Sequence, residues 1–444
     1  MLRDRAPEVV SMHAIRPKER PRFCLAALSV FFPLICASCV HQHEAPPPQP
    51  IGQSVVLWIS VDGNRGDYVD RAKPPLLMKL MHEGMYTRQL TPAFPSLTFP
   101  SHTTEATGVY VDGHGIPGNA FYDTSTRKTV RFPNESSLVR AEPIWITAQR
   151  QGVRAAVSDW PLSGLETGPV TADYFGNAYD GGLTDAQRAQ KLIDIWAADK
   201  GTSPLRLMMG YVHETDTSGH AKGPDSEQVL DALRRDDDVL GNILTQAITL
   251  FNARMRPEDE LYFIVTTDHG MSAVKTELNL PRLIGSDTAR GLHIATSGPI
   301  ANIFLDGIPA ADRPARLAAI MAKLNAEPTV EAYEKADLPA RWHYNDPTRV
   351  GDIVALLKPG NSWDGLRNVI RMPAAAGGPL GMHGYDPEGN PEMQGFAVIW
   401  RYRHKLGGID LGKVDTVQLE PTVAAILGIK PASGATAKAL PIPP

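Results

Sequence analysis

SVVLWISVDGNRGD (Ser54 to Asp67) sets how the rest of the chain is read. A near-continuous apolar run of strand length meets a glycine-containing turn that carries Asp62. Strands buried on both faces read this way, without alternation. The pattern recurs in LRLMMGYVHETDTSGH (Leu205 to His220) and in LYFIVTTDHG (Leu261 to Gly270). Each run ends in a turn rich in carboxylates and imidazoles. Between the second and third lies DSEQVLDALRRDDDVLGNILTQAITLFNARM, whose Val229, Leu230, Leu233, Leu240, Leu244 and Ile248 recur at helical spacing. This predicts one long amphipathic helix. Buried strands separated by helices predict an α/β fold with a mostly parallel central sheet covered on both faces. Ligand sites in such sheets gather beyond the carboxyl ends of the strands, where all three loaded turns fall.

Working outward, the stretch 297–362 changes texture. ANIFLDG reads as a strand, ARLAAIMAKLN as a helix and GDIVALLKPG as another strand, which predicts a small α+β subdomain inserted before the last loaded turn, GMHGYD (Gly381 to Asp386). Upstream, HQHEAPPPQP is a Pro-rich tether with no core-forming residues. The expected layout is a leader over 1–39, a tether over 40–50 and a catalytic domain over 51–444. In the leader, Arg16, Lys18, Arg20 and Arg22 precede the apolar run FCLAALSVFFPLI (Phe23 to Ile35), with Met12 as an alternative start. The run is short and Pro-broken, the pattern of a signal peptide rather than a membrane span. Ala37-Ser38-Cys39 reads either as a lipoprotein processing site, with Cys39 lipidated, or as the end of an ordinary signal peptide. The expectation is export to the periplasm, free or tethered to the membrane through Cys39.

Cys24, Cys36 and Cys39, the three cysteines, all lie in this leader, so the body has no disulfide and no thiolate metal site. The 44 basic and 49 acidic residues give −5, against the basic surplus of a nucleic-acid scaffold. The leader holds 6 basic and 3 acidic residues, which leaves the body at 38 against 46, or −8. Anionic substrates would need local cations.

Asp62, Asp216, His220, Asp268, His269 and His383 stand in Gly-rich turns. Oxygen and imidazole donors in this mixture suit zinc or another borderline divalent metal. Six are too many for one tetrahedral ion and fit two. A lone Asp at a strand end is more often a turn or helix cap. The adjacent Asp268-His269 pair is harder to explain that way, because burying a carboxylate at a core edge is costly without a partner. TPAFPSLTFPSHTTEATG adds hydroxyls at a helix start, where free N–H groups favour phosphate. A metal beside such a hydroxyl would make it a nucleophile. Ser96, Thr98, Ser101, Thr103 and Thr104 all qualify by spacing.

VDGNRGDY, TPAFPSLTFPSHTTEATGVYVDGHGIPGN, HETDTSGH, TTDHGM and GMHGYD, in this order from about Val55 to Tyr385, resemble the nucleotide pyrophosphatase/phosphodiesterase family of the alkaline phosphatase superfamily. The resemblance implies an alkaline-phosphatase-like three-layer sandwich. It assigns Thr98 as nucleophile, with two Zn2+ as cofactors. Asp216, His220 and His383 would hold one zinc, and Asp62, Asp268, His269 and the Thr98 oxygen the other. Asn119 would donate its amide to a non-bridging phosphate oxygen. A phosphothreonine would form and be hydrolysed. Phe99 and Tyr174, with Tyr179 competing for the place, would sandwich the base of a nucleotide. The expected partner is thus a small phosphodiester or nucleotide. Ser101 and Leu97 depart from residues common in relatives, and neither is a ligand. Three alternatives stand beside this: a threonine-dependent phosphomonoesterase, a phosphonate C–P hydrolase, and a metal-bound non-catalytic envelope protein. The stretch Ser158 to Asp180 has no Lys or Arg, and a monoester dianion needs extra cations, so diesters are favoured.

Overall fold

The computed structural model describes residues 52–443 apart from 167, 177–178 and 364–368. The expected leader, Cys39 and the tether lie outside the described residues. No described helix is long and apolar enough to cross a membrane.

The three apolar runs form the centre of an eight-stranded sheet. Its strands are β1 (Ser54–Val61), β2 (Met85–Thr91), β3 (Arg154–Val157), β4 (Leu205–Val212), β5 (Glu260–Thr266), β6 (Gly395–Arg401), β7 (Ile409–Asp410) and β8 (Lys413–Asp415). The order in space is β7-β2-β6-β5-β1-β4-β3, with β8 also on β2. β1 runs parallel to β4 and β5, β3 to β4, and β7 and β8 to β2. Only β6 is antiparallel, lying between β5 and β2.

Successive side chains of β1 point to opposite faces, and both faces are covered. Val55, Leu57, Ile59 and Val61 pack with helices Pro75–Glu83, Asp185–Ala198 and Glu227–Arg254. Val56 and Trp58 pack on the other side with helices Ile144–Arg150 and Leu419–Leu427. The result is the three-layer α/β sandwich expected. The long helix spans 28 residues, Glu227–Arg254, and Ser226 caps it by accepting from the Val229 N–H. Its buried Asp237 accepts the Leu76 and Leu77 N–H groups at 2.8 Å each, at the start of helix Pro75–Glu83.

Four antiparallel strands, His293–Ser297, Ile300–Phe304, Ile353–Leu357 and Val330–Glu334, form a second sheet in that order. Helix Arg313–Asn325 covers it, and a separate cluster around Ile303, Ile320 and Ile353 fills the space between. The sheet begins at His293, four residues before the 297 expected, because HIATS is a half-exposed strand without the apolar run that marks a buried one. This subdomain braces a hairpin, Ala120–Asp123 with Lys128–Arg131. The Ser297 hydroxyl accepts the Ala120 N–H at 2.9 Å, the Tyr344 hydroxyl donates to the Pro117 carbonyl at 3.0 Å, and Arg349 pairs with Asp123 at 2.9 Å.

Candidate active site

Register brings the loaded turns together. Val61 lies opposite Val212 and Ser60 opposite Thr266, so β1, β4 and β5 end at one level. Asp62 follows β1 directly, and its N–H bonds the Val212 carbonyl at 2.9 Å. Gly63 turns the chain away at φ +66, and a Cβ there would sit 2.8 Å from the Asp216 Cα. Glycine is therefore required at that position for the first two turns to approach each other.

Thr98 is the first residue of the helix Thr98–Thr107. Two of its hydroxyls are spent on the helix itself, Thr103 donating to the Phe99 carbonyl at 2.6 Å and Thr107 to the Thr103 carbonyl at 2.7 Å, and Thr104 meets His114 Nε2 at 3.1 Å. The Thr98 Oγ1 instead lies 3.3 Å from His269 Nε2, against the metal-type residues. Ser96 donates to the Tyr385 carbonyl. Of the five hydroxyls in this segment, the geometry singles out Thr98.

All three site imidazoles are held in the same way. His269 Nδ1 meets the Gly270 carbonyl at 2.9 Å, His220 Nδ1 the Gly381 carbonyl at 2.7 Å, and His383 Nδ1 the Ser96 carbonyl at 3.0 Å. A carbonyl only accepts, so each Nδ1 carries a proton, which leaves Nε2 as the ring atom turned to the site. Such outer contacts orient metal-ligating histidines. His220 Nε2 and His383 Nε2 face each other at 3.2 Å. Two ring nitrogens that close need a proton or a metal ion between them. The Asp216 Oδ1 lies 3.4 Å from the first and 3.6 Å from the second.

A second set adjoins the first. Asp268 Oδ2 is 2.9 Å and Asp62 Oδ1 3.4 Å from His269 Nε2. Ligand atoms of Asp216, His220 and His383 fall within 4.8 Å of one another, and so do those of Asp62, Asp216 and His269, which puts Asp216 in reach of both sets. Asp62 Oδ1 and Asp216 Oδ1 are buried and have no hydrogen-bond partner among the described residues. Buried carboxylate oxygens without partners are costly. The donors present therefore fit divalent metal at this place.

The electrostatics agree. Burial raises the Asp62 carboxyl well above the usual range, and the charges of Asp268 and Asp216 add to it. Burial would raise Asp268 too, but the charge of a protonated His269 outweighs it and holds that carboxyl low; burial would lower His269, and Asp268 raises it instead. Burial and the neighbouring His269 and His220 rings push His383 well down.

Asn119 stands half-buried on the cavity wall at the foot of the hairpin. Its Oδ1 accepts the Phe99 N–H at 3.1 Å, which orients the carboxamide and leaves its NH2 as the free donor. Asn119, Thr98 and Phe99 border a cavity of about 570 Å3 that reaches Asp62, Asp216 and His383. Tyr174 does not line it. The Tyr174 hydroxyl donates to Asp199 at 2.9 Å, and its backbone bridges Ala156 at the sheet edge. Of these two loop tyrosines, Tyr179 is the one on the cavity wall, with the Arg188 guanidinium 4.2 Å from its ring centre. Tyr174 is thus corrected to a sheet-edge residue, because its backbone pairs with β3 at Ala156.

Two further residues belong to the site. His102, one helical turn after Thr98, donates from Nδ1 to the Thr98 carbonyl at 2.8 Å and accepts at Nε2 from the Ser60 hydroxyl at 2.8 Å. That spacing was readable in the sequence. The Tyr211 hydroxyl donates to Asp62 Oδ2. Tyr211 sits in an unbroken apolar run, where nothing in the pattern marks one residue.

The sequence model of the type I phosphodiesterase / nucleotide pyrophosphatase family matches residues 56–386. Human bis(5'-adenosyl)-triphosphatase (Homo sapiens) is 30% identical over 85% of this chain and 78% of its own length. A Schizosaccharomyces pombe pyrophosphatase/phosphodiesterase is 28% identical over 82% of this chain and 73% of its own length. Murine ectonucleotide pyrophosphatase/phosphodiesterase 5, solved as an inactive threonine-to-alanine variant in complex with AMP, superposes with a TM-score of 0.73 at 25% identity, covering 85% of this chain and 96% of that one. The chain belongs to the type I phosphodiesterase / nucleotide pyrophosphatase family and is a hydrolase of that kind.

Proposed function

We propose that this chain is a zinc-dependent phosphodiesterase that cleaves phosphodiester or pyrophosphate bonds in nucleotides through a phosphothreonine at Thr98. The observation that carries the reading is the meeting of Thr98 Oγ1 with His269 Nε2 at 3.3 Å, where two sets of carboxylate and imidazole donors converge. Asp62, Asp268, His269 and Thr98 would hold one ion, and Asp216, His220 and His383 the other. Zinc, when bound, supplies the charge that favours an ionised hydroxyl and offsets the phosphate oxygens. Thr98 Oγ attacks phosphorus in line, the bond to the leaving oxygen breaks, and that oxygen takes the electron pair. Water then cleaves the phosphorus–Oγ bond and returns the Thr98 hydroxyl. The Asn119 NH2 donates to a non-bridging oxygen as charge builds on it. Phe99 and Tyr179, both on the cavity wall, enclose the base. The relative with AMP and the one named for a dinucleoside triphosphate support a nucleotide substrate.

Removal of metal with a chelator should abolish hydrolysis of a nucleoside 5'-(4-nitrophenyl phosphate). Two equivalents of zinc should restore it. Faster turnover of 4-nitrophenyl phosphate, a monoester, would overturn the diester reading, and activity untouched by chelation would overturn the metal. We further propose export, from the basic and then apolar leader, with Cys39 as the lipidated residue. Cys39→Ala should move the protein from the membrane to the soluble fraction, and an unchanged distribution would overturn the anchor.

A further inference from the structure

We infer that Phe132 is a specificity-determining residue, a third aromatic wall that grips the nucleoside on the same side as Phe99. The inference rests on the nucleotide reading above. Phe132 is 71% exposed, which buries little of an apolar ring. Its φ is +44, a left-handed conformation that disfavours a bulky side chain and favours Gly or Asn. Folding gains nothing from either feature. Strain and exposed apolar surface held at one residue mark function when a site lies beside it.

The site does lie beside it. Phe132 borders the cavity that holds Thr98 and Asn119. Its ring stands edge-on to Phe99, with centroids 6.2 Å apart and planes at 60°. The Phe132 N–H donates to the Asn119 carbonyl at 2.7 Å, so one hairpin positions both the phosphate donor and this ring. A planar base against Phe99 would meet the Phe132 ring at its edge or face. Aromatic platforms accept any base, because every base has a π-face. The chemical class selected is therefore a nucleoside 5'-phosphate ester over a small alkyl ester with the same leaving group.

The test compares a nucleoside 5'-(4-nitrophenyl phosphate) with methyl 4-nitrophenyl phosphate on the zinc-loaded enzyme. In Phe132→Ala, KM for the nucleoside ester should rise about fivefold or more, in the range of one lost base–aromatic contact. The methyl ester should change less than about twofold, and Phe132→Tyr should behave as wild type. Phe132→Asn, which tolerates the left-handed backbone, should melt no lower than wild type and still show the raised KM. An unchanged preference in Phe132→Ala or Phe132→Asn overturns the inference while leaving the nucleotide reading intact. A wild-type enzyme that does not prefer the nucleoside ester overturns both.

Discussion

Asp62, Asp268 and His269 on the cavity floor are 1% exposed or less, whereas Phe132 and Tyr179 at its mouth are 71% and 44% exposed. The floor is fixed by main chain: strand register sets the height of the turns, and a carbonyl orients each site imidazole. The mouth hangs on loops and a short hairpin: the Phe132 ring stands edge-on to Phe99, and the Tyr179 ring neighbours Arg188, Tyr211 and His213. Groups proposed to act on phosphorus sit at the ends of the sheet's strands. Groups proposed to choose the substrate sit where sequence changes without disturbing the core.

The sharpest way to break the comparison is at the floor. Thr98→Ala should lower kcat for a nucleotide diester by more than about a thousandfold, the scale of a lost nucleophile. Its zinc content should stay near wild type, since six other donors remain, and metal analysis of the purified variant would check this. Residual turnover near wild type would remove Thr98 from the chemistry altogether.

Asn119 tests the join between floor and mouth, because the hairpin that carries it also carries Phe132. Asn119→Ala should lower kcat about a hundredfold or more with a smaller change in KM, as for a lost oxyanion donor. A rise in KM alone would instead make Asn119 a ground-state binding group.

The floor was also the legible half. Three apolar runs, each ending in carboxylates or imidazoles, were enough to read a parallel sheet and its loaded edge, because burial on both faces leaves a strong pattern. His383 needed only its motif. The mouth was not legible in the same way. Tyr174 and Tyr179 stand five apart in a loop with no period, and nothing local tells which one turns inward. Pairing of the Tyr174 backbone with Ala156 decides it, and that is a long-range contact. Phe132 left no trace, since a left-handed φ at a phenylalanine runs against residue preference. Tyr211 was hidden for the opposite reason, inside a run where every residue but Arg206 is buried.

Tyr211 lies between the two regions, on the cavity wall with its hydroxyl on Asp62. Tyr211→Phe should weaken zinc binding about 10- to 100-fold, as loss of an outer-shell hydrogen bond does. Competition against a chromogenic chelator would measure it. The metal-free protein should melt within a few degrees of wild type. If zinc affinity holds and KM for nucleotides rises, Tyr211 belongs to the mouth rather than the floor.

The smallest effect separates the two tyrosines. A base–aromatic contact is worth roughly 1–3 kcal/mol, so Tyr179→Ala should raise KM for a nucleoside ester about tenfold with kcat nearly kept. The Arg188 guanidinium would lose its ring but keep the Asp180 and Leu183 carbonyls that hold it. Tyr174→Phe removes only the hydrogen bond to Asp199, worth about 1 kcal/mol of stability, and Arg154 still pairs with that carboxylate at 2.8 Å. It should lower the melting temperature slightly and leave KM unchanged. The two variants thus put stability and specificity on different residues five positions apart. A KM shift in Tyr174→Phe with none in Tyr179→Ala would reverse which tyrosine turns into the mouth, and with it the path of the loop after Trp160.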